Sequence, residues 1–237
     1  MQPLSYTALE AVKVPRPRDR VAQIEAHARG KRVFDLGALD ETAYAAKQDN
    51  GRWLHARLCS VAHEVVGIDN SALVPPEGLQ TRPNGRIVNA DIFALSSSVA
   101  LYGRPDVIVA GELIEHLPDT LAFLRSLKAS PELAGVDFVF STPNACSWHN
   151  IAIGLMGRES THQDHLQIYS YKTLRTLFDR AGVELLSLQP YGARFDEMIE
   201  RSGGATRVAV KGFQATINAL EWVTPVLSAG WVGVARI

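Results

Sequence analysis

The chain has 237 residues, 46% of them hydrophobic and 21% charged. That is a globular composition with enough apolar material for one large core, and it excludes a disordered polymer. The 24 basic and 25 acidic residues leave a formal net charge of −1, which argues against a dedicated nucleic-acid binder, since such proteins usually carry a clear basic excess.

Short apolar runs alternate with longer helical patterns, which predicts βαβ units around a mostly parallel sheet. A helix is expected over 18–29, followed by a strand at 32–36. Residues 37–52 are polar and without a period, and read as a loop. A helix at 53–62 contains Cys59, read as a small core residue, and precedes strands at 64–68, 86–88 and 106–110. In the next helix, 117–128, Leu117, Leu121, Leu124 and Leu127 share one side, and Pro118 falls in the first turn, where proline is tolerated.

A strand at 136–141 leads into an insertion of mixed chemistry at 145–168. The helix at 170–181 has Ser170 as N-cap, a stripe of Leu174, Leu177 and Phe178, and Gly182 as its stop. A strand at 183–188, a helix at 211–222 and a strand at 230–237 complete the chain. The expected fold is α/β, Rossmann-like and doubly wound: a seven-stranded, mostly parallel sheet with helices on both faces. It forms a single domain over 1–237, and residues 1–30 are a helical extension.

Cys59 and Cys146 make neither a disulfide framework nor a metal-type pair, which suits a reducing cytoplasm. Residues 1–20 have no continuous apolar core, so no signal peptide is expected. No stretch is long and apolar enough to span a bilayer; the apolar segment 222–234 is broken by Pro225, Gly230 and Gly233.

The loops at 37–52 and 145–167 both follow the carboxyl ends of strands, the edge of an open α/β sheet that holds ligands. The first strand ends in Val33-Phe34-Asp35-Leu36-Gly37. Gly37 allows a sharp turn and a close backbone approach to a ligand. A dinucleotide site would want Gly-x-Gly-x-x-Gly here. Instead the stretch to Asp40 has one glycine with Asp35 and Asp40 beside it, and those carboxylates suit a cationic or amine-bearing ligand better than a diphosphate. Asp69, at the tip of the second strand and followed by Asn70, can accept hydrogen bonds from both hydroxyls of a ribose. Asp91 could accept from an adenine amino group while Ile92 packs on the ring.

Together these residues resemble the class I S-adenosylmethionine (SAM)-dependent methyltransferase family. The resemblance continues through Val107-Ile108-Val109-Ala110-Gly111-Glu112-Leu113-Ile114-Glu115-His116-Leu117, the turn Ser141-Thr142-Pro143-Asn144, and the segment from His162 to Ser170. It departs from the family at Leu39 and Glu41, which stand where glycines are common. The resemblance implies SAM as cofactor, with its methionine moiety at the first loop, ribose on the second-strand acid and adenine at Asp91. The cofactor residues are then Asp35, Gly37, Asp69, Asn70, Asp91, Ile92 and Gly111.

Methyl transfer is expected to be an in-line displacement that depends mainly on alignment, with a base needed only if the acceptor must lose a proton. Glu112, Glu115 and His116 fall together if their segment is helical, and could hold a divalent cation such as Mg2+. This Glu-x-x-Glu-His pattern is similar to the metal-binding segment of ubiquinone-pathway and small-RNA 2′-O-methyltransferases, and it also occurs in relatives without metal. His116, Glu115 and His165 are the candidate catalytic groups, and His162 lies beside them. Trp148, His149 and Asn150 could line an acceptor pocket, whereas Trp53 and His55 read as packing residues.

The expected reaction is methylation, on oxygen, of a small-molecule or glycan acceptor, with no nucleic-acid partner. A SAM- or nucleoside-binding protein without catalysis is the alternative. A nicotinamide-dependent oxidoreductase is disfavoured by the missing glycines.

Overall fold

The computed structural model describes residues 9–39 and 51–237; Asp40, Glu41 and most of the 37–52 loop lie outside the described residues. The described strands are β1 (Arg32–Leu36), β2 (Glu64–Asp69), β3 (Leu79–Arg82), β4 (Gly85–Asn89), β5 (Val107–Gly111), β6 (Asp137–Pro143), β7 (Glu184–Tyr191) and β8 (Gly230–Arg236). They form one eight-stranded sheet in the order β3-β4-β2-β1-β5-β6-β8-β7. The pairs β4–β2, β2–β1, β1–β5 and β5–β6 are parallel, and the pairs involving β3 or β8 are antiparallel.

From β1 the chain builds outward through β2 in one direction and through β5 in the other. The strand order therefore reverses beside β1, and in open α/β sheets such a switch point is where a ligand crevice forms, at the carboxyl ends of the strands, here β1 and β5.

Neighbouring residues along the central strands feed opposite faces, as the two-residue period of a strand requires. Phe34, Ile108, Phe138 and Phe140 join one core with Phe123 and Phe178, while Val33, Val107, Val109 and Val139 join the other with Ile24 and Ala28. Covering both faces makes these strands apolar at every position, so they read as continuous runs rather than alternating ones. Phe140 stacks on Phe178 with ring centroids 4.8 Å apart, which seats helix Tyr171–Ala181 on the sheet. That helix is set at both ends: Ser170 and Thr173 form a reciprocal capping box, and Gly182 ends it at φ +71°.

Several elements differ from the sequence expectation. The sheet has one more strand, the short β3, which lies antiparallel on the outer edge. Its residues are mostly polar and half-exposed, so it carries little hydrophobic signal. The helix expected from residue 117 starts at Thr120, because Asp119 accepts the Ala122 N–H at 2.8 Å and caps it there. Helices Leu95–Tyr102, Trp148–Leu155 and Asp196–Arg201 are additional, and the helix expected at 211–222 runs over Gly204–Val223. Among the described residues, no helix is long and apolar enough to cross a membrane.

Candidate functional site

The tips of β1, β2 and β5 stand side by side. Gly37 turns the chain at φ +65°, and its N–H donates to Ile68 O at 2.9 Å. A β-carbon there would come within 2.9 Å of the Leu113 side chain. The next loop residues are fastened to β2, since Asp69 Oδ2 accepts Leu39 N–H at 2.8 Å. Asp69 Oδ1 accepts Ser71 N–H at 2.9 Å, and Asn70 beside it is exposed. Across the switch point Gly111 closes β5, where a β-carbon would meet Leu54 Cδ2 at 2.3 Å. At the tip of β4, the exposed Asp91 caps the turn Ile92–Ala94 by accepting Phe93 N–H at 2.9 Å, and Ile92 packs on the core.

Asp35 is engaged differently, by a side chain rather than by backbone amides. It is buried, and its carboxylate faces His55 Nδ1 at 3.0 Å. His55 Nε2 lies 2.9 Å from Thr81 Oγ1. Burial works against a charged His55, but the hydrogen bond and charge of Asp35, with Cys59 adding to them, outweigh it and raise the imidazole pKa to about 9. A raised pKa means stability that is fully present below the unfolded-state value of about 6.5 and lost as pH rises through about 9. Thermal melting is therefore expected to occur at a lower temperature at pH 10 than at pH 7, and His55→Gln is expected to shrink that difference. An equal pH dependence in the variant would contradict the ion pair.

The residues after β5 make the second half of the site. Glu112 has φ +54°, the one non-glycine residue with positive φ among the described residues. Such strain persists only where surrounding contacts enforce it. Here Glu112 N–H donates to Ser141 O at 3.0 Å, and Tyr191 Oη donates to the Glu112 carboxylate at 3.1 Å. Arg20 Nη1 lies 3.8 Å from that carboxylate and donates to Ser141 Oγ at 3.1 Å. Burial and the charge of Glu112 push the Tyr191 phenol well above its ordinary value.

Ile114–His116 then form a 3-10 turn. The 145–168 insertion folds against it, with Leu166 and Gln167 N–H both donating to Glu115 O, at 2.9 and 3.1 Å. His116 Nδ1 sits 3.1 Å from Asp164 O, and the His116 and His165 rings meet edge to face at 4.6 Å. Glu115 is fully buried; the Thr142 hydroxyl acts on its carboxylate, but neither oxygen has a partner in good hydrogen-bond geometry, and His165 Nδ1 is also buried and unpaired. Burial, followed by the charge of Glu112, raises the Glu115 pKa well above the ordinary carboxylate value. Burial lowers that of His165, and the neighbouring His116 and His162 lower it further. Ligand atoms of Glu115, His116 and His165 all lie within 4.8 Å of one another.

A family model described as "Methyltransferase domain" matches residues 10–188, a span that holds every one of these groups except Tyr191. The chain belongs to the class I SAM-dependent methyltransferase family. The methyltransferase resembles in fold a SAM-dependent methyltransferase from Archaeoglobus fulgidus, at 13% identity over 92% of this chain and 91% of that one, with a TM-score of 0.53. It also resembles the small RNA methyltransferase HEN1, at 15% identity over 98% of this chain and 27% of that one, with a TM-score of 0.56. The [4+2]-cyclase SpnF shares the fold at 16% identity over 92% of this chain and 80% of that one, with a TM-score of 0.50, so the scaffold alone does not dictate the reaction. No curated protein matches the chain significantly.

Two site residues of the methyltransferase were missed by the sequence reading. Arg20 lies in the segment read as an N-terminal extension, and Tyr191 lies past the expected end of its strand at 188. Neither sits in a motif, and only the fold brings them to Glu112. His162 is exposed and 3.5 Å from Asp164, at the rim of the cluster. Trp148 donates to Thr224 Oγ1 at 2.6 Å and packs against the small core of Ala193, Ile217 and Ala229, which ties the insertion to helix Gly204–Val223.

Proposed function

We propose that this methyltransferase passes the methyl group of SAM to a hydroxyl oxygen of a small-molecule or glycan acceptor bound over Glu115, His116 and His165. The observation that carries this reading is the buried Glu115 carboxylate, without a hydrogen-bond partner, beside two imidazoles at the switch-point edge. Burying an unpaired carboxyl is costly, and that cost is offset only if something in the working site engages it.

In this reading Gly37 and Asp69 hold the methionine and ribose parts of the cofactor, Asp91 and Ile92 hold the adenine, and Asn70 and Gly111 border it. Arg20 and Tyr191 fix Glu112. Without a cation in the site, His165, kept neutral by burial and by like charge, takes the proton that an acceptor hydroxyl loses as the methyl group arrives.

The same three groups fit a divalent cation, which when bound would orient the hydroxyl and lower its pKa. Among the described residues the ligand atoms within 4.8 Å of one another belong to Glu115, His116 and His165, while Glu112, the third member of the trio expected from the sequence, accepts from Tyr191 beside Arg20. Two imidazoles and one carboxylate suit Mn2+ or a softer transition metal better than Mg2+.

The test is transfer of labelled methyl from SAM to a panel of free sugars, glycans, phenols and small RNAs, before and after treatment with EDTA. Labelling of hydroxyl-bearing small molecules or glycans is expected, with loss of activity in EDTA and recovery on adding Mn2+. Labelling of RNA alone would overturn the acceptor class. Activity indifferent to EDTA would remove the cation and leave His165 as the base.

A further inference from the structure

Trp53 and His55, which read as packing residues in the sequence, sit directly behind the turn at 37–39. Trp53 is 2% exposed, and its indole N–H donates to Ala38 O at 2.8 Å. That carbonyl lies between Gly37, whose N–H is held by Ile68 O, and Leu39, whose N–H is held by Asp69. The indole ring lies 5.0 Å from the His55 ring, which is fixed at both nitrogens by Asp35 and Thr81. Two glycines make room for the assembly. A β-carbon on Gly67 would come within 2.7 Å of Ala38 Cβ and 3.1 Å of His55 Cε1, and one on Gly85 within 2.3 Å of Cys59 Sγ and 3.0 Å of Thr81 Oγ1.

We propose that Trp53 and His55 are positioning residues for the cofactor: they clamp Ala38 so that the turn at Gly37 and the carboxylate of Asp69 are held ready for the nucleoside. The turn at 37–39 has one glycine and so little backbone freedom, and the indole bond from Trp53 fixes the carbonyl at its centre. The clamp also accounts for Asp35, whose carboxylate is engaged by His55 rather than open to the crevice. The proposal rests on the cofactor placement given above.

The test is calorimetric titration of S-adenosylhomocysteine (SAH) into the wild-type protein and into Trp53→Phe and Thr81→Val, each also melted without ligand. Trp53→Phe keeps a ring in the slot but leaves Ala38 O without its donor, and its Kd is expected to rise about tenfold. Thr81→Val, remote from the crevice, is expected to raise Kd a few-fold by releasing His55. A lower melting temperature with an unchanged Kd in Trp53→Phe would show plain packing and overturn the clamp. If Trp53→Phe does not fold, Thr81→Val decides in the same way. A wild-type protein that fails to bind SAH would instead overturn the cofactor placement itself.

Discussion

Asp69→Ala is expected to weaken SAH binding by a factor of a hundred or more while leaving the far-ultraviolet circular dichroism unchanged. Two effects add. In the proposed cofactor placement the ribose hydroxyls lose a charged acceptor, and hydrogen bonds to a charged group contribute about 1.5–3 kcal/mol each. The amides of Leu39 and Ser71 lose their common partner as well, so the loop that follows Gly37 is released from β2. Asp69→Asn, which keeps one acceptor oxygen, should fall between wild type and Ala. Calorimetry is the check, and an affinity for SAH unchanged in Asp69→Ala would remove the ribose role.

The second large effect belongs to the acceptor side. Glu115→Gln and His165→Ala are each expected to lower turnover by about a hundredfold or more, the usual contribution of a positioned acid, base or metal ligand. SAH affinity should stay within about twofold of wild type, because neither side chain belongs to the nucleoside side of the crevice. Glu115→Leu should melt no lower than wild type, since it removes a buried, unpaired carboxyl without leaving another polar group in its place. A site residue whose neutral replacement does not destabilise the fold is the signature of stability given up for function. Equal losses of turnover and of SAH affinity would contradict the assignment.

The legible parts of the molecule are those where local chemistry and tertiary environment agree. Val33-Phe34, Ile108-Val109 and Phe138-Val139 are apolar on both sides because both faces of the sheet are covered. Helix Tyr171–Ala181 announces itself through Ser170, its apolar stripe and Gly182. Gly37, Asp69 and Gly111 follow apolar runs and land at adjacent strand tips.

What was hidden depends on partners distant in the chain. β3 is an edge strand with little to bury. Helix Trp148–Leu155 has no fully buried residue, so its apolar residues do not mark a core face. The grouping of Glu112 with Glu115 and His116 assumed a helix. The chain instead passes through a left-handed Glu112 into a 3-10 turn, which brings the Glu112 carboxylate to Tyr191 and Arg20, while the ligand atoms of Glu115 and His116 lie near that of His165. Asp35 illustrates the same limit: its position at the end of β1 suggests a ligand, but a buried histidine 20 residues later claims it.

The most direct measurement is a crystal structure of the protein with SAH. The ribose is expected on Asp69, the homocysteine tail over the Gly37 turn, and the sulfur facing the Glu115–His116–His165 cluster across the β1–β5 crevice. A nucleoside bound anywhere else, or a sulfur directed away from that cluster, would contradict the account.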